Sequence, residues 1–455
     1  MYTCSRCNTS VLKWTGKCPQ CSEWNTLIES APSWWWKSNK KSPGVVREKK
    51  TLSSQWAVES IRMKSSSSEL DGVFGDGVVP GSLILLSGEP WIWKSTLSLQ
   101  MSDWYWTESH PVLYISWEEH IGQIASRAKR LWIQNEYIRI LATGVFEDII
   151  STIESGDEWV IIIDSISVLW SEYLEGSSGS ISQIRTMTEA LMEVAKRTQK
   201  IIILIGHVTK DGAISGPKAL EHLVDVVLFL EGSRYENYRI LRSYKNRFGP
   251  TDMVGLFRMT ENGLIDIQNP GMEFVSLENT KLSWSALSIT MEGNRPILIE
   301  LEALTTYTKF WYPKRSSRWI NQGKLDLLIA VLTKYSNTKL DSYDVYINIG
   351  RGLSIHEPWI DMACMVAMMS SRRNMTVWRT LFLGEVSLTG VIKNVFLLER
   401  RIQEAAKLGF HEMYIPTSYD GKIPSWIEVV RVWNVSELAN KLGFNSKQSR
   451  EEEEE

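Results

Sequence analysis

The sequence contains no apolar run approaching the roughly 20 residues that span a bilayer. It also opens on MYTCSRC rather than on a charged-then-apolar leader. Both absences point to a soluble, cytoplasmic protein with no membrane partner. Cysteine is scarce, five residues among 455, and four of the five fall within the first 21. So few thiols, bunched at one end, exclude a disulfide framework and suit a metal site in a reducing compartment. Neither sign of charge dominates: 50 Lys and Arg stand against 53 Asp and Glu, a formal net charge of -3. A basic coat over the whole surface is excluded, so any contact with nucleic acid has to be local. The length exceeds what one core organises, and two or three domains are expected.

Tryptophan, by contrast, is in excess. It occurs 21 times, and several copies stand where backbone chemistry calls for glycine. Trp34, Trp35 and Trp36 lie in a Ser/Lys-rich stretch, and Trp93 lies inside a phosphate-loop pattern. Bulky aromatic surface in a solvated linker gains nothing from burial and promotes aggregation. A codon (UGA) read as glycine by the source organism but translated here as tryptophan accounts for these positions. Trp14 and Trp24, flanking the second cysteine pair, read as true tryptophans, so the substitution would be partial. The alternative is a protein that is tryptophan-rich in fact.

Along the chain, residues 1–28 hold the clustered cysteines, and 29–56, rich in Ser, Lys and Pro, read as a linker. From residue 57 short apolar runs, Leu83–Leu86, Val112–Ile115, Val160–Ile163 and Ile201–Ile205, alternate with amphipathic stretches. That alternation predicts a mostly parallel sheet covered by helices. Ile184, Met187, Leu191 and Val194 recur at helical spacing and are expected to be core contacts. Runs at Val226–Leu230 and Tyr238–Leu241 extend the sheet to about residue 268, and a second globular region follows over 275–440. Residues 441–455 close in a solvated acidic tail, EEEEE.

Five features carry chemistry. Cys4-x2-Cys7 and Cys18-x2-Cys21 form two thiolate pairs able to grip a tetrahedral Zn2+, with a redox dithiol as the weaker alternative. Gly88, Glu89, Pro90, Trp91, Ile92, Trp93, Lys94, Ser95 and Thr96 follow an apolar run and match G-x4-G-K-[ST] except at Trp93. There, backbone N–H groups would cradle the phosphates of ATP, Lys94 would reach the terminal ones, and Ser95 would face Mg2+. A genuine indole at 93 would block the close approach and silence the site. Asp164 ends the apolar run VIIID, where a carboxylate supports Mg2+ and its waters. Glu118 and Glu119 follow VLYIS, where one could serve as general base or both could form an exposed acidic turn. His207, after IIILI, is placed for a phosphate sensor at the same sheet edge.

Taken together, CSRC…KWTGKCPQCSEWNTL, GEPWIWKST, YISWEEH, IIIDSI, GHVTKDGAISGPKALEHLVD and Lys245-Asn246-Arg247-Phe248-Gly249 resemble the successive signatures of the bacterial RadA/Sms family. The resemblance runs from residue 1 to about 440. It implies an α/β fold: a RecA-like P-loop ATPase core with an N-terminal zinc ribbon and a C-terminal α+β domain similar to that of Lon proteases. It also implies a homo-hexameric ring that binds single-stranded and branched DNA, works with a RecA-type recombinase, and moves DNA branches by ATP hydrolysis. Under it Lys94 and Ser95 bind ATP and Mg2+, Asp164 supports the metal, and Glu118 is the base. Lys245 and Arg247 couple nucleotide to DNA, unless they are merely solvated cations. Lys210 and Lys218, in a glycine-containing basic loop, contact the DNA backbone. The Lon-like landmarks put Trp359 at the nucleophile position and Glu399 at that of the partner lysine, with Ser354 nearby, so proteolysis is not expected. A DNA branch-migration motor, a Lon-like protease and a silent DNA-binding scaffold are the competing expectations.

Overall fold

The computed structural model describes residues 2–29, 61–206, 220–267 and 284–445, with short interruptions in those ranges and Val275 beside them. His207, Lys210, Lys218, Ser354, the linker from residue 30 and residues 446–455 lie outside the described residues. Residues 441–445, expected to belong to a solvated tail, are described, and Phe444 is buried there because it packs into the core of the second unit. At the N-terminus β1 (Tyr2–Cys4) pairs antiparallel with both β2 (Ser10–Val11) and β3 (Leu27–Glu29). Among the described residues the buried cluster of this small sheet is Cys4 and Cys18, with Cys7 and Cys21 packed against them. A ribbon of this size needs a staple, and the thiols supply it.

The chain divides into two compact units, and the division does not follow the linear boundary near residue 268. The first comprises Met1–Ser66, Asp76–Phe229 and Tyr244–Gly249, and the second Ser67–Gly75, Leu230–Ser243 and Pro250–Glu455. Helix α1 (Ser68–Phe74) thus belongs to the second unit. Its Glu69 pairs with Arg295 and accepts from the Leu256 N–H, and its capping Ser67 donates to Asp266.

In the first unit, β4 (Leu83–Gly88), β5 (Val112–Ser116), β6 (Ile138–Leu141), β7 (Val160–Asp164), β8 (Ile201–Ile205) and β9 (Val226–Glu231) lie in the order β6-β5-β7-β8-β4-β9. The pairs from β6 to β4 are parallel. Every residue of β4, β5, β7 and β8 is buried, as expected of strands covered on both faces. The covering helices include α2 (Lys94–Tyr105), α3 (Ile121–Arg130), α4 (Phe146–Ser155) and α5 (Ile181–Thr198). Ile184, Met187, Leu191 and Val194 of α5 join Phe146, Ile149 and Ile153 of α4 in one core with the strands. Each such side chain contributes about 1.5–3 kcal/mol by leaving water, and this core fixes the strand ends that carry the site.

The second unit takes in the part of β10 (Tyr238–Asn246) up to Ser243, together with the antiparallel strands β11 (Val254–Thr260) and β12 (Gly263–Asp266). Its main sheet contains β13 (Ser285–Glu292), β14 (Arg295–Tyr307), β15 (Arg315–Ser317), β16 (Tyr343–Ile349) and β17 (Thr380–Phe382). After the short pair β18 (Glu385–Val386) and β19 (Ile392–Lys393) come β20 (Glu412–Pro416) and β21 (Glu428–Val432). The sheet order is β15-β16-β14-β13-β17-β20-β21, with mixed parallel and antiparallel pairs. Helices α6 (Gln322–Tyr335), α7 (Asp361–Arg373), α8 (Leu398–Lys407) and α9 (Val435–Lys441) complete it. Among the described residues no helix is long and apolar enough to cross a membrane.

Candidate functional site

The ribbon brings its four thiols together. The Cys4 and Cys21 sulfurs lie 3.5 Å apart, those of Cys7 and Cys18 3.6 Å apart, and all four ligand atoms fall within 4.8 Å of one another. The Thr26 hydroxyl, 3.2 Å from the Cys4 sulfur, holds the Cys4 thiol down at about 6. Four converging sulfurs, two of them buried, fit a closed tetrahedral Zn2+ site and leave no open position for chemistry.

The second site lies at the carboxyl edge of the parallel sheet, where β4 turns into α2. Its loop is anchored at both ends. The Lys94 ammonium donates to the carbonyls of Gly88 (2.8 Å) and Glu89 (2.7 Å), and the Trp93 carbonyl accepts from the Leu97 N–H (2.9 Å), the first turn of α2. Glu89, Pro90 and Trp91 are exposed, Trp93 and Ser95 half-buried, and Ile92, Lys94 and Thr96 buried. Burial pushes the Lys94 ammonium down to about 8 against the opposing pull of Asp164, Glu118 and Glu89. A lysine held in that condition gains a great deal from a polyanion, which restores the charge its burial penalises.

The carboxylates come from the neighbouring strands. Asp164 ends β7 and accepts a 2.7 Å hydrogen bond from the Tyr114 hydroxyl of β5, which in turn lies 3.1 Å from the Ser98 hydroxyl of α2. Glu118 follows β5, with the Ser165 hydroxyl donating to it at 3.4 Å. The two acids of the EEH segment are not equivalent: Glu119 is engaged by Arg127 at 2.6 Å. His120 caps α3, accepting from the Gly122 N–H, while Gln123 accepts from the His120 N–H. That capping box fixes the turn that carries Glu118.

The KNRFG segment is tied down within the first unit. Lys245 donates to the carbonyls of Glu221 (2.7 Å), His222 (3.4 Å) and Val224 (2.8 Å), and burial lowers its pKa. Asn246 accepts from the Phe248 N–H, and Arg62 donates to the Phe248 carbonyl. Gly249 closes the segment. Arg247 pairs with the buried Asp225 at 3.1 Å, and the other oxygen of Asp225 accepts from the Leu83 N–H at the start of β4. Tyr114, Ser165 and Asp225 escape sequence reasoning. Tyr114 lies inside an apolar run, and the partners of Lys245 are main-chain carbonyls, which carry no residue signature.

A four-thiol ribbon followed by a phosphate loop at the edge of a parallel sheet defines a RecA-like P-loop ATPase fold with an N-terminal metal-binding module. Residues 2–29 match the family model described as a rubredoxin metal binding domain, and residues 49–213 that of an AAA domain. The chain is 40% identical to the DNA repair protein RadA of Listeria monocytogenes, over 97% of each chain. It is 40% identical to that of Bacillus subtilis, over 97% of this chain and 98% of the relative. Among solved structures, a RadB recombinase matches 45% of this chain and all of its own length, with 22% identity and a TM-score of 0.36. The chain belongs to the DNA repair protein RadA family.

Proposed function

We propose that the chain is a DNA-dependent ATP hydrolase that moves the branches of recombination intermediates. The observation that carries this reading is the convergence of Lys94, Asp164 and Glu118 at one sheet edge beside the phosphate loop. Lys94 would bind the terminal phosphates of ATP, and Ser95 with Asp164 would hold Mg2+, which supplies charge neutralisation on the phosphates when bound. Glu118, which follows β5 and accepts from the Ser165 hydroxyl, would orient and deprotonate the attacking water. Charge that builds on the transferred phosphate favours a cation from a neighbouring subunit, a role open to Lys245 or Arg247 once a homo-hexamer forms. His207 as phosphate sensor, and Lys210 and Lys218 as contacts to single-stranded or branched DNA, belong to the same proposal. So does cooperation with a RecA-type recombinase in the cytoplasm.

The second unit, on this reading, assembles the ring and contacts DNA rather than cutting protein. Trp359 packs on an apolar cluster and Glu399 sits in the first turn of α8, so neither position offers a nucleophile or its lysine. The test is ATP-driven movement of a synthetic branched DNA. The chain should resolve the branch, and Lys94→Ala should bind DNA without resolving it. Casein cleavage would support the protease instead, and DNA retention without any ATP-dependent movement the scaffold.

A further inference from the structure

One helix ending occurs three times among the described residues. After α8, the Gly409 N–H donates to the Ala406 carbonyl and the Phe410 N–H to that of Ala405. After α9, Gly443 donates to Asn440 and Phe444 to Ala439. After α3, Trp132 donates to Lys129 and Ile133 to Ala128. All three are the same Schellman ladder, in which the penultimate residue takes the left-handed conformation and an apolar residue follows it inward. The φ angles are 77° at Gly409, 76° at Gly443 and 61° at Trp132. Two of the three positions hold glycine, the residue with no Cβ to crowd its own carbonyl, and the third holds the largest side chain there is.

Trp132 is not alone. Of the eleven described non-glycine residues with positive φ, four are tryptophan: Trp91 (69°), Trp93 (75°), Trp132 and Trp284 (95°). Asn and Asp visit this region because a short polar side chain can bond locally; an indole has no such compensation. Nor is burial the compensation, since Trp91 is 81% exposed and Trp132 73%. Trp117 shows no positive φ, so the steric argument does not reach it.

We infer that positions 91, 93, 132 and 284 are glycine in the protein as its source makes it. Trp132 and Trp284 are assigned by backbone geometry alone, without the phosphate-loop pattern or the ATPase reading. Two glycines at 91 and 93 leave the loop N–H groups free to approach phosphate. The test is peptide mass spectrometry on protein purified from the source organism. The tryptic peptides Leu131–Arg139 and Leu282–Lys309 should each carry glycine in place of tryptophan, and an indole at 132 or 284 overturns the inference. Recombinant chains give a second readout: Trp132→Gly should raise the melting temperature and Gly409→Trp should lower it. A lower melting temperature for Trp132→Gly would show a tryptophan that fits its site.

A separate observation concerns Tyr114, which bridges β7 and α2 from within the sheet through its bonds to Asp164 and Ser98. We infer that Tyr114 is a positioning residue that aims the Asp164 carboxylate at the nucleotide's metal; this rests on the proposed ATPase site. Tyr114→Phe removes the hydrogen bond that orients that carboxylate. The Mg2+ concentration for half-maximal binding of a fluorescent ADP should rise about tenfold, the scale of one hydrogen bond to a charged group. Binding of ADP in EDTA should not change. An unchanged Mg2+ midpoint overturns the assignment. Ser98→Ala, which loosens the same hydroxyl, should give a smaller shift should the first variant fail to fold. Absence of ADP binding by the unsubstituted chain, with glycine at 91 and 93 or without, would remove the ATPase reading itself.

Discussion

Lys94 shows how one side chain can store a function. Burial lowers its pKa to about 8 in the folded chain, below the value of 10.5 for an exposed lysine. The sign follows: the folded state resists protonation, so charged Lys94 costs stability below about pH 8. That cost is relieved as pH climbs from about 8 towards 10.5. A bound triphosphate reverses the balance by favouring the charged form. Nucleotide affinity should therefore fall as pH is raised through about 8, by up to about tenfold per pH unit. Lys94→Arg should flatten the profile, because a guanidinium stays charged; a titration by fluorescent-nucleotide binding checks it. Lys94, Ser95 and Asp164 were legible in the sequence because their motif is itself a statement of spacing. Tyr114 and Asp225 were not, because their roles depend on which strand lies beside which.

At the scale of elements, the apolar runs at 83–86, 112–115, 160–163 and 201–205 became β4, β5, β7 and β8, since fully buried parallel strands need no alternation. What the sequence concealed was the membership of α1. Its Glu69–Arg295 pair and its Ser67–Asp266 bond tie it to residues some two hundred positions away, and no local pattern reports that. Two predictions belong here. Chelation should release one Zn2+ per chain and expose Cys4 and Cys18 to a thiol reagent, because among the described residues these two thiols are the ribbon's buried cluster. In the second unit, Asp361 is fully buried, pairs with Lys324 at 2.7 Å and accepts from the Val386 N–H at 3.0 Å; burial raises its carboxyl to about 6. Lys324→Met strands that carboxylate and should cost about 3 kcal/mol or more at pH 8. The loss should shrink at pH 5, where Asp361 takes up a proton, and urea denaturation at the two pH values measures the difference.

For the whole molecule, motif order along the chain made the class legible, while assembly did not follow from any motif. Lys245 and Arg247 engage Glu221, His222, Val224 and Asp225 of their own chain. A role at a subunit boundary therefore requires those contacts to be exchanged. Light scattering should find a sixfold assembly with nucleotide, and a chain that stays monomeric with nucleotide and DNA would break this part of the account. On the proposed function, the loop at 88–96 hydrolyses ATP in response to DNA when glycine occupies positions 91 and 93. ATP turnover, with and without single-stranded DNA, measured on the chain as written and on one carrying Trp91→Gly and Trp93→Gly, tests it most directly. We predict turnover only in the glycine form, accelerated by DNA; no hydrolysis by either form would contradict the claim.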